Sequence, residues 1–188
     1  MLISFFLLEL PAIALVSGIL YLPYLLWSKR RSGKQNLGFH LVRYAFLSYC
    51  LSLLYLTVLW YYPDITFFPE CHMLNLRPFV WLTECYEMGP RKMAEQLLLN
   101  VGMFVPYGLL LPLVFPCLRR FPKTALVVLA TTVSIETFQF FIGRSADIDD
   151  AIMNLVGGLL GYAIFALLNR RLSQHPRWRR TLDACFKG

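Results

Sequence analysis

Long apolar runs separated by short polar segments dominate the chain. Each run has about 20 residues or more, the length that an α-helix needs to cross the hydrocarbon core of a bilayer. The runs cover residues 2–27, 40–62, 94–118, 123–142 and 150–169. This pattern predicts an all-α membrane protein built as a bundle of about five transmembrane helices.

The composition agrees with this class. The chain has 188 residues, of which 57% are hydrophobic and 15% charged, and its mean hydropathy is +0.55. Soluble domains rarely reach such values. Five spans leave little room for a soluble domain, so we predict a single transmembrane domain with a loop over 63–93 and a basic tail over 170–188. The first run lacks a basic leader and a small-residue cleavage pattern, which indicates a retained helix.

The positions of the basic residues predict the orientation. Most of the 18 lysines and arginines follow the first run, lie between the third and fourth runs, or follow the fifth. Cytoplasmic segments are enriched in such residues, which predicts an N-terminus outside the cell and a cytoplasmic C-terminus. The topology therefore explains the net charge of +7, and we expect no nucleic-acid partner.

Several acids and amides interrupt the apolar runs. Glu136 and Gln139 lie near the predicted outer end of the fourth run, Asp150 and Asn154 at the start of the fifth, and Asn100 near the start of the third. A charged side chain at membrane depth costs about 2.5 kcal/mol or more and normally faces the bundle interior. The polar groups are therefore expected in the outer half of the bilayer.

The turn between the fourth and fifth runs, "GRSADIDD", carries further charge. Arg144 is the expected partner of Glu136 or of the neighbouring aspartates, because a guanidinium pairs bidentately with carboxylates. The predicted ligand-binding residues are Asn100, Glu136, Gln139, Arg144, Asp147, Asp149, Asp150 and Asn154. We interpret them as a polar pocket open to the extracytoplasmic face. The alternative is interhelical hydrogen bonding alone, at about 1 kcal/mol per bond.

No metal or other cofactor is predicted. The alternative is a divalent cation at Asp147, Asp149 and Asp150, because oxygen ligands suit Mg²⁺ or Ca²⁺. Capping of the fifth helix by Asp149 and a favourable helix-dipole position for Asp150 account for two of these aspartates without metal. In the outer loop, Cys71 and Cys85 are candidates for a disulfide.

Proline and glycine positions predict structural roles. Gly157 and Gly161 have the small-xxx-small spacing that allows another helix to approach closely. Pro106, followed by Gly108, predicts a kink or local unwinding of the third helix. The predicted structural residues are Pro106, Gly108, Gly157, Gly158 and Gly161.

Two segments, "NVGMFVPYGLLLP" and "SIETFQFFIGRSADIDDAIMNLVGGLLGY", resemble the VanZ-like family of bacterial membrane proteins. The shared pattern has an Asn before a Phe-x-Pro-x-Gly segment, then a Glu-x-x-Gln helix, an Arg, an Asp-x-Asp-Asp turn and Asn-x-x-Gly-Gly-x-x-Gly. Upstream, "LNLRPF" is similar to a further element of the family. The resemblance is close over residues 75–162.

The resemblance implies a multi-pass protein of the bacterial plasma membrane and cell envelope. The family's founding member is associated with low-level resistance to the antibiotic teicoplanin, which carries an acyl tail and acts at the outer leaflet. Membrane lipids or lipid-linked envelope precursors are therefore the expected partners, and we predict that the pocket binds such a lipid-linked or amphiphilic molecule.

Whether the protein is an enzyme stays open from the sequence. A membrane-embedded transferase or hydrolase acting on glycolipids is one alternative, with Glu136 as the best candidate for a general base. A scaffold or a transporter is another. A transporter requires a polar path across the membrane, and the inner halves of the runs contain none.

Overall fold

The computed structural model describes residues 8–32, 37–61, 74–82, 89–176, 178–179 and 182. Its five long helices are α1 (Leu10–Ser32), α2 (Leu37–Thr57), α3 (Pro90–Val114), α4 (Phe121–Phe141) and α5 (Ile148–Leu172). Each is long and apolar enough to cross a bilayer. The predicted class is confirmed: the chain is an all-α, multi-pass membrane protein.

Prolines define the connection between α3 and α4. After α3 the chain extends at Phe115, and Pro116 opens the short 3₁₀ turn Pro116–Leu118. Pro122 lies in the first turn of α4. Backbone N–H groups in this turn have no intrahelical acceptor, so the missing N–H of proline costs no helix hydrogen bond. α3 itself begins at Pro90, earlier than the predicted start at residue 94. The short connection makes the two helices antiparallel neighbours.

α5 begins with a side-chain cap. The Oδ1 of Asp147 accepts a hydrogen bond of 2.8 Å from the backbone N–H of Asp149, which satisfies one of the donors left open in the first turn. The cap is therefore Asp147, and not Asp149 as the sequence predicted. Arg170 and Arg171 occupy the last turn, where positive charge opposes the negative end of the helix dipole.

α3 and α5 form the closest helix pair, and glycines make this possible. A Cβ atom built on Gly108 would lie 1.9 Å from the carbonyl oxygen of Gly158. One built on Gly161 would lie 2.1 Å from the carbonyl oxygen of Val105. Gly157 meets the carbonyl oxygen of Val101 in the same way. The two backbones are in direct contact, the geometry that small residues permit in membrane bundles.

α3 remains helical through Pro106. Pro106 has no N–H to donate to the preceding turn, yet the helix continues to Val114. The predicted local unwinding does not occur. Gly108 instead serves the contact with Gly158.

A core lies between α2, α3 and α4, and large apolar side chains cover the outside. The core residues are Leu53, Phe104, Tyr107, Leu111 and Val128. Outward-facing residues include Leu15, Leu98 and Leu126, each about two-thirds exposed. In a membrane this surface contacts acyl chains, which explains an apolar exterior that a soluble protein would not tolerate.

A two-stranded parallel sheet joins segment 74–82 to the α4–α5 turn. Strand β1 (Leu74–Asn75) pairs with β2 (Ala146–Asp147), with Leu74 opposite Ala146 and Asn75 opposite Asp147. The sheet holds segment 74–82 against the end of the bundle where α3 and α5 begin and α2 and α4 end. We call this the polar end.

Candidate functional site

The polar end is organised around the turn before α5. Asn75 donates from Nδ2 to Oδ2 of Asp147 over 3.1 Å, which reinforces the strand pair. The backbone N–H of Asp147 donates in turn to Oε2 of Glu136 over 3.1 Å. Asp147 therefore connects segment 74–82, the end of α4 and the start of α5.

Asp149 anchors segment 74–82 to the start of α5. Its side chain is buried, at 5% exposure, and its two oxygens accept hydrogen bonds from the backbone N–H groups of Phe79 (2.7 Å) and Trp81 (3.4 Å). Phe79 has a φ of 67°, a left-handed conformation that non-glycine residues rarely adopt. The carboxylate thus stabilises a strained turn, and we assign it a positioning role.

The last carbonyl of α2 receives two side chains. Gln139 donates from Nε2 to the carbonyl oxygen of Thr57 over 2.9 Å, and Arg144 donates from Nη1 to the same atom over 2.8 Å. The carbonyl is available because the last turn of a helix leaves its C=O groups without intrahelical donors. Thr57 therefore links α2 to the polar end.

Arg144 also acts on the acidic residues around it. Its guanidinium interacts electrostatically with Glu136 and Asp150, and these two carboxylates act on each other and on Asp147. A positive group among several carboxylates reduces their mutual repulsion. The predicted bidentate pairing of Arg144 with one of these carboxylates stays a prediction.

Amides connect the deeper parts of the site. Asn100 on α3 donates from Nδ2 to Oδ1 of Asp150 on α5. One turn further, Asn154 donates to Oγ1 of Thr132 on α4 over 3.2 Å. Asn154 is buried, at 4% exposure, and its Oδ1 accepts no hydrogen bond from the described residues. A buried acceptor without a partner is costly, which makes this oxygen a place for a bound water molecule or ligand group.

The structure brings all eight predicted ligand-binding residues to the polar end, but they fall into two groups. Gln139, Asp149 and Asn154 are buried. The others are half-buried at the surface of the cluster: Asn100, Glu136, Arg144, Asp147 and Asp150. Members of both groups bind protein partners, but the second group also keeps part of its surface accessible.

The sequence did not identify several partners of these residues. Thr57, Thr132 and the backbone amides of Phe79 and Trp81 all bind predicted site residues. Thr57 is the last residue of α2 only in the structure; the predicted run continues to residue 62, so the sequence does not signal its open carbonyl. Nothing local marks the other three.

The three aspartates of the turn have separate partners: Asn75 for Asp147, two backbone amides for Asp149, and Asn100 for Asp150. Across the described part of the chain, no group of three or more His, Cys, Asp and Glu residues is arranged to hold a metal ion. The predicted cysteine pair, Cys71 and Cys85, lies outside the described residues.

Comparison with known proteins gives the family. The family model described as VanZ/LLP1 matches residues 46–169. Protein VanZ of Enterococcus faecium is 40% identical over 102 residues, which cover 54% of this chain and 57% of that protein. The chain thus matches a little over half the length of this relative. No solved structure matches the chain. Because the matched region contains α3, α4, α5 and most of the polar end, the chain belongs to the VanZ/LLP1 family.

Proposed function

We propose that this VanZ-like protein lies in the bacterial plasma membrane and binds the headgroup of a lipid-linked or amphiphilic envelope molecule at its polar end. In this proposal the polar end faces outwards, the N-terminus is outside and the C-terminus is cytoplasmic. Binding of this kind would contribute to teicoplanin resistance.

The observation that carries the proposal is the difference between buried and half-buried residues within the polar end. Buried Asp149 holds segment 74–82, and buried Gln139 holds the end of α2, each through a short hydrogen bond. Glu136, Arg144 and Asp150, at the same end of the bundle, are only half-buried. A site supported by a second layer of fixed partners is preorganised for binding.

The side chains indicate which headgroups the site favours. Glu136 interacts with the carboxylates of Asp147 and Asp150 and with the single guanidinium of Arg144. This excess of negative charge favours hydroxyl and amino groups of a ligand over a highly charged anion. Arg144 provides bidentate donors for one phosphate or carboxylate. The exposed side chains of Leu98 and Leu99, next to Asn100 on α3, offer an apolar surface for an acyl chain. These features suit a glycosylated or aminated amphiphile with at most one acidic group beside Arg144.

The substitution Glu136→Gln tests this proposal. The glutamine retains an oxygen that accepts from the Asp147 amide and loses only the charge. The matched control is Glu95→Gln, on the exposed surface of α3 near the same end, where Glu95 pairs with Arg91 over 3.1 Å. We expect Glu136→Gln, and not the control, to lower both teicoplanin resistance in a bacterial host and the amount of envelope lipid that copurifies. Equal resistance and lipid content in both variants would contradict the proposal.

An enzymatic role is a second candidate, favoured by the geometry of Glu136. The Asp147 amide engages Oε2, and no residue in the described ranges donates a hydrogen bond to Oε1. Such an oxygen is placed to accept a proton. Lipid profiles of cells expressing wild type or Glu136→Gln separate the two roles. A general base predicts that a modified lipid disappears in the variant, whereas a binding role predicts the same lipid species in both strains.

A further inference from the structure

A second polar cluster lies at the opposite end of the bundle, between α1 and α2. The Arg43 guanidinium lies 4.3 Å from the ring centroid of Phe39 and 5.4 Å from that of Tyr24. Its Nη1 donates to the Tyr24 hydroxyl. Beside it, the Tyr21 hydroxyl and His40 Nδ1 are 2.9 Å apart. The guanidinium is thus enclosed by aromatic rings.

The charges of this cluster are unbalanced. The charged groups that act on His40 are Arg43 and Lys29, both basic. Among the described residues, no acidic side chain forms an ion pair with Arg43, and its buried Nε has no hydrogen-bond partner. Ser28, on the same face of α1 as Tyr24, has a buried hydroxyl that also has no partner in the described part of the chain. Donors and positive charge are therefore present in excess.

The depth of Arg43 makes this imbalance costly. It lies six residues into α2, about 9 Å from the start of the helix at 1.5 Å per residue, a depth from which a long arginine side chain extends towards the headgroups. A half-buried cation at this level requires an anionic partner or water. The groups available at this depth from outside the protein are lipid headgroups, and basic pockets between transmembrane helices are known to bind anionic ones.

We propose that Arg43, with Tyr24 and Phe39 as aromatic walls, binds the phosphate of an anionic phospholipid. The guanidinium donors on Nη1 and Nη2 that Tyr24 does not use match phosphate oxygens bidentately. Phe39 and Tyr24 hold the guanidinium plane in position through cation–π contacts. The site is separate from the polar end and does not depend on the function proposed for it.

Native mass spectrometry of the full chain, purified from nanodiscs of phosphatidylcholine and phosphatidylglycerol, tests this site. Wild type is expected to retain phosphatidylglycerol preferentially. Arg43→Gln is expected to weaken retention about tenfold or more, because it removes charge-assisted hydrogen bonds. Arg43→Lys keeps the charge without the planar guanidinium, so its retention of phosphatidylglycerol is expected to lie between those of wild type and Arg43→Gln.

Arg30→Gln is the matched control. It removes the same charge from an exposed position in the last turn of α1, at the same end of the bundle as Arg43. Equal losses in Arg30→Gln and Arg43→Gln would overturn the proposal, since they would indicate nonspecific attraction to an anionic surface. If Arg43→Gln fails to fold, as judged by helical circular dichroism, Arg43→Lys and Phe39→Leu decide the matter. Phe39→Leu is expected to weaken retention a few-fold through the lost cation–π contact, and wild-type retention in both would overturn the proposal.

Inorganic phosphate distinguishes the source of the ligand. Retention of phosphatidylglycerol in a large excess of inorganic phosphate supports a lipid site. Displacement of the lipid at the same phosphate concentration in wild type and Arg30→Gln would show that the free ion occupies the site, which would overturn the lipid assignment.

Discussion

Two helix pairs in this protein associate in opposite ways. α3 and α5 pack backbone against backbone, with Gly108 facing Gly158 and Gly161 facing Val105. α1 and α2 meet through side chains, among them the hydroxyl–imidazole contact of Tyr21 and the edge-on rings of Tyr21 and Tyr44. Only 6% of the apolar stretch of α1 is buried, against 33% of that of α3.

The difference separates a rigid part of the molecule from a more adaptable part. Backbone contact leaves no room for added atoms, so the α3–α5 distance is fixed. That distance allows Asn100 on α3 to reach Asp150 on α5. α1 and α2 are instead joined by side chains, which can adjust where backbones in contact cannot. The polar end is therefore supported by the rigid pair.

The largest expected effect follows from adding a side chain to the rigid pair. Gly108→Leu places atoms where the Gly158 backbone lies 1.9 Å from an ideal Cβ, and we expect destabilisation of at least about 3 kcal/mol or failure to fold. Gly102→Leu is the control, because Gly102 is on the same helix with nothing within 4 Å of a Cβ. Detergent-denaturation midpoints measure both. Similar midpoints would show that α3 and α5 are not in backbone contact.

The next prediction tests whether the rigid pair also holds segment 74–82. Asp149→Ala removes the acceptor of the Phe79 and Trp81 amides. Hydrogen bonds to a charged group contribute about 1.5–3 kcal/mol each, so we expect amide hydrogen exchange at these two residues to rise by roughly a hundredfold or more. Glu95→Ala, which removes only an exposed ion pair, should leave exchange unchanged. Protection that persists in Asp149→Ala would show that the strand pair holds the segment alone.

A smaller effect is expected from removing one tyrosine hydroxyl from the α1–α2 contact and one from α3. Tyr21→Phe removes the contact with His40 between α1 and α2, and Tyr107→Phe removes the 2.8 Å contact with Thr131 between α3 and α4. Each loss should cost about 0.5–1.5 kcal/mol, and the loss at buried Tyr107 should be the larger. The free energy of unfolding in mixed micelles measures both. A larger loss at Tyr21 would reverse the assignment of rigid and adaptable parts.

The smallest effect concerns a glycine in the adaptable pair. Gly18 on α1 has nothing within 4 Å of a Cβ, so Gly18→Ala should stabilise by up to about 1 kcal/mol through helix propensity. Gly161→Ala, with a carbonyl oxygen at 2.1 Å, should destabilise. Thermal unfolding measures whether the two substitutions change the stability in opposite directions. A change in the same direction would show that packing does not distinguish the two helix pairs.

The sequence by itself determined the class and much of the family pattern. Apolar runs of bilayer length dictate helices, because lipid offers no partner for an unpaired backbone. The glycine spacing at Gly157 and Gly161 indicated a close helix contact. The polar interruptions marked where unusual chemistry lies. All these signals are local, so they can be read along the chain.

Tertiary structure decided the partners. Asp149 meets the amides of Phe79 and Trp81, which lie some 70 residues away in the chain, and Arg144 meets the carbonyl of Thr57. Backbone amides and carbonyls carry no signature in the amino-acid type, so no pattern identifies them. Which aspartate caps α5, and which only supports a loop, depends on where the chain returns in space. The folded bundle fixes these pairs because it brings distant backbone groups within hydrogen-bonding distance.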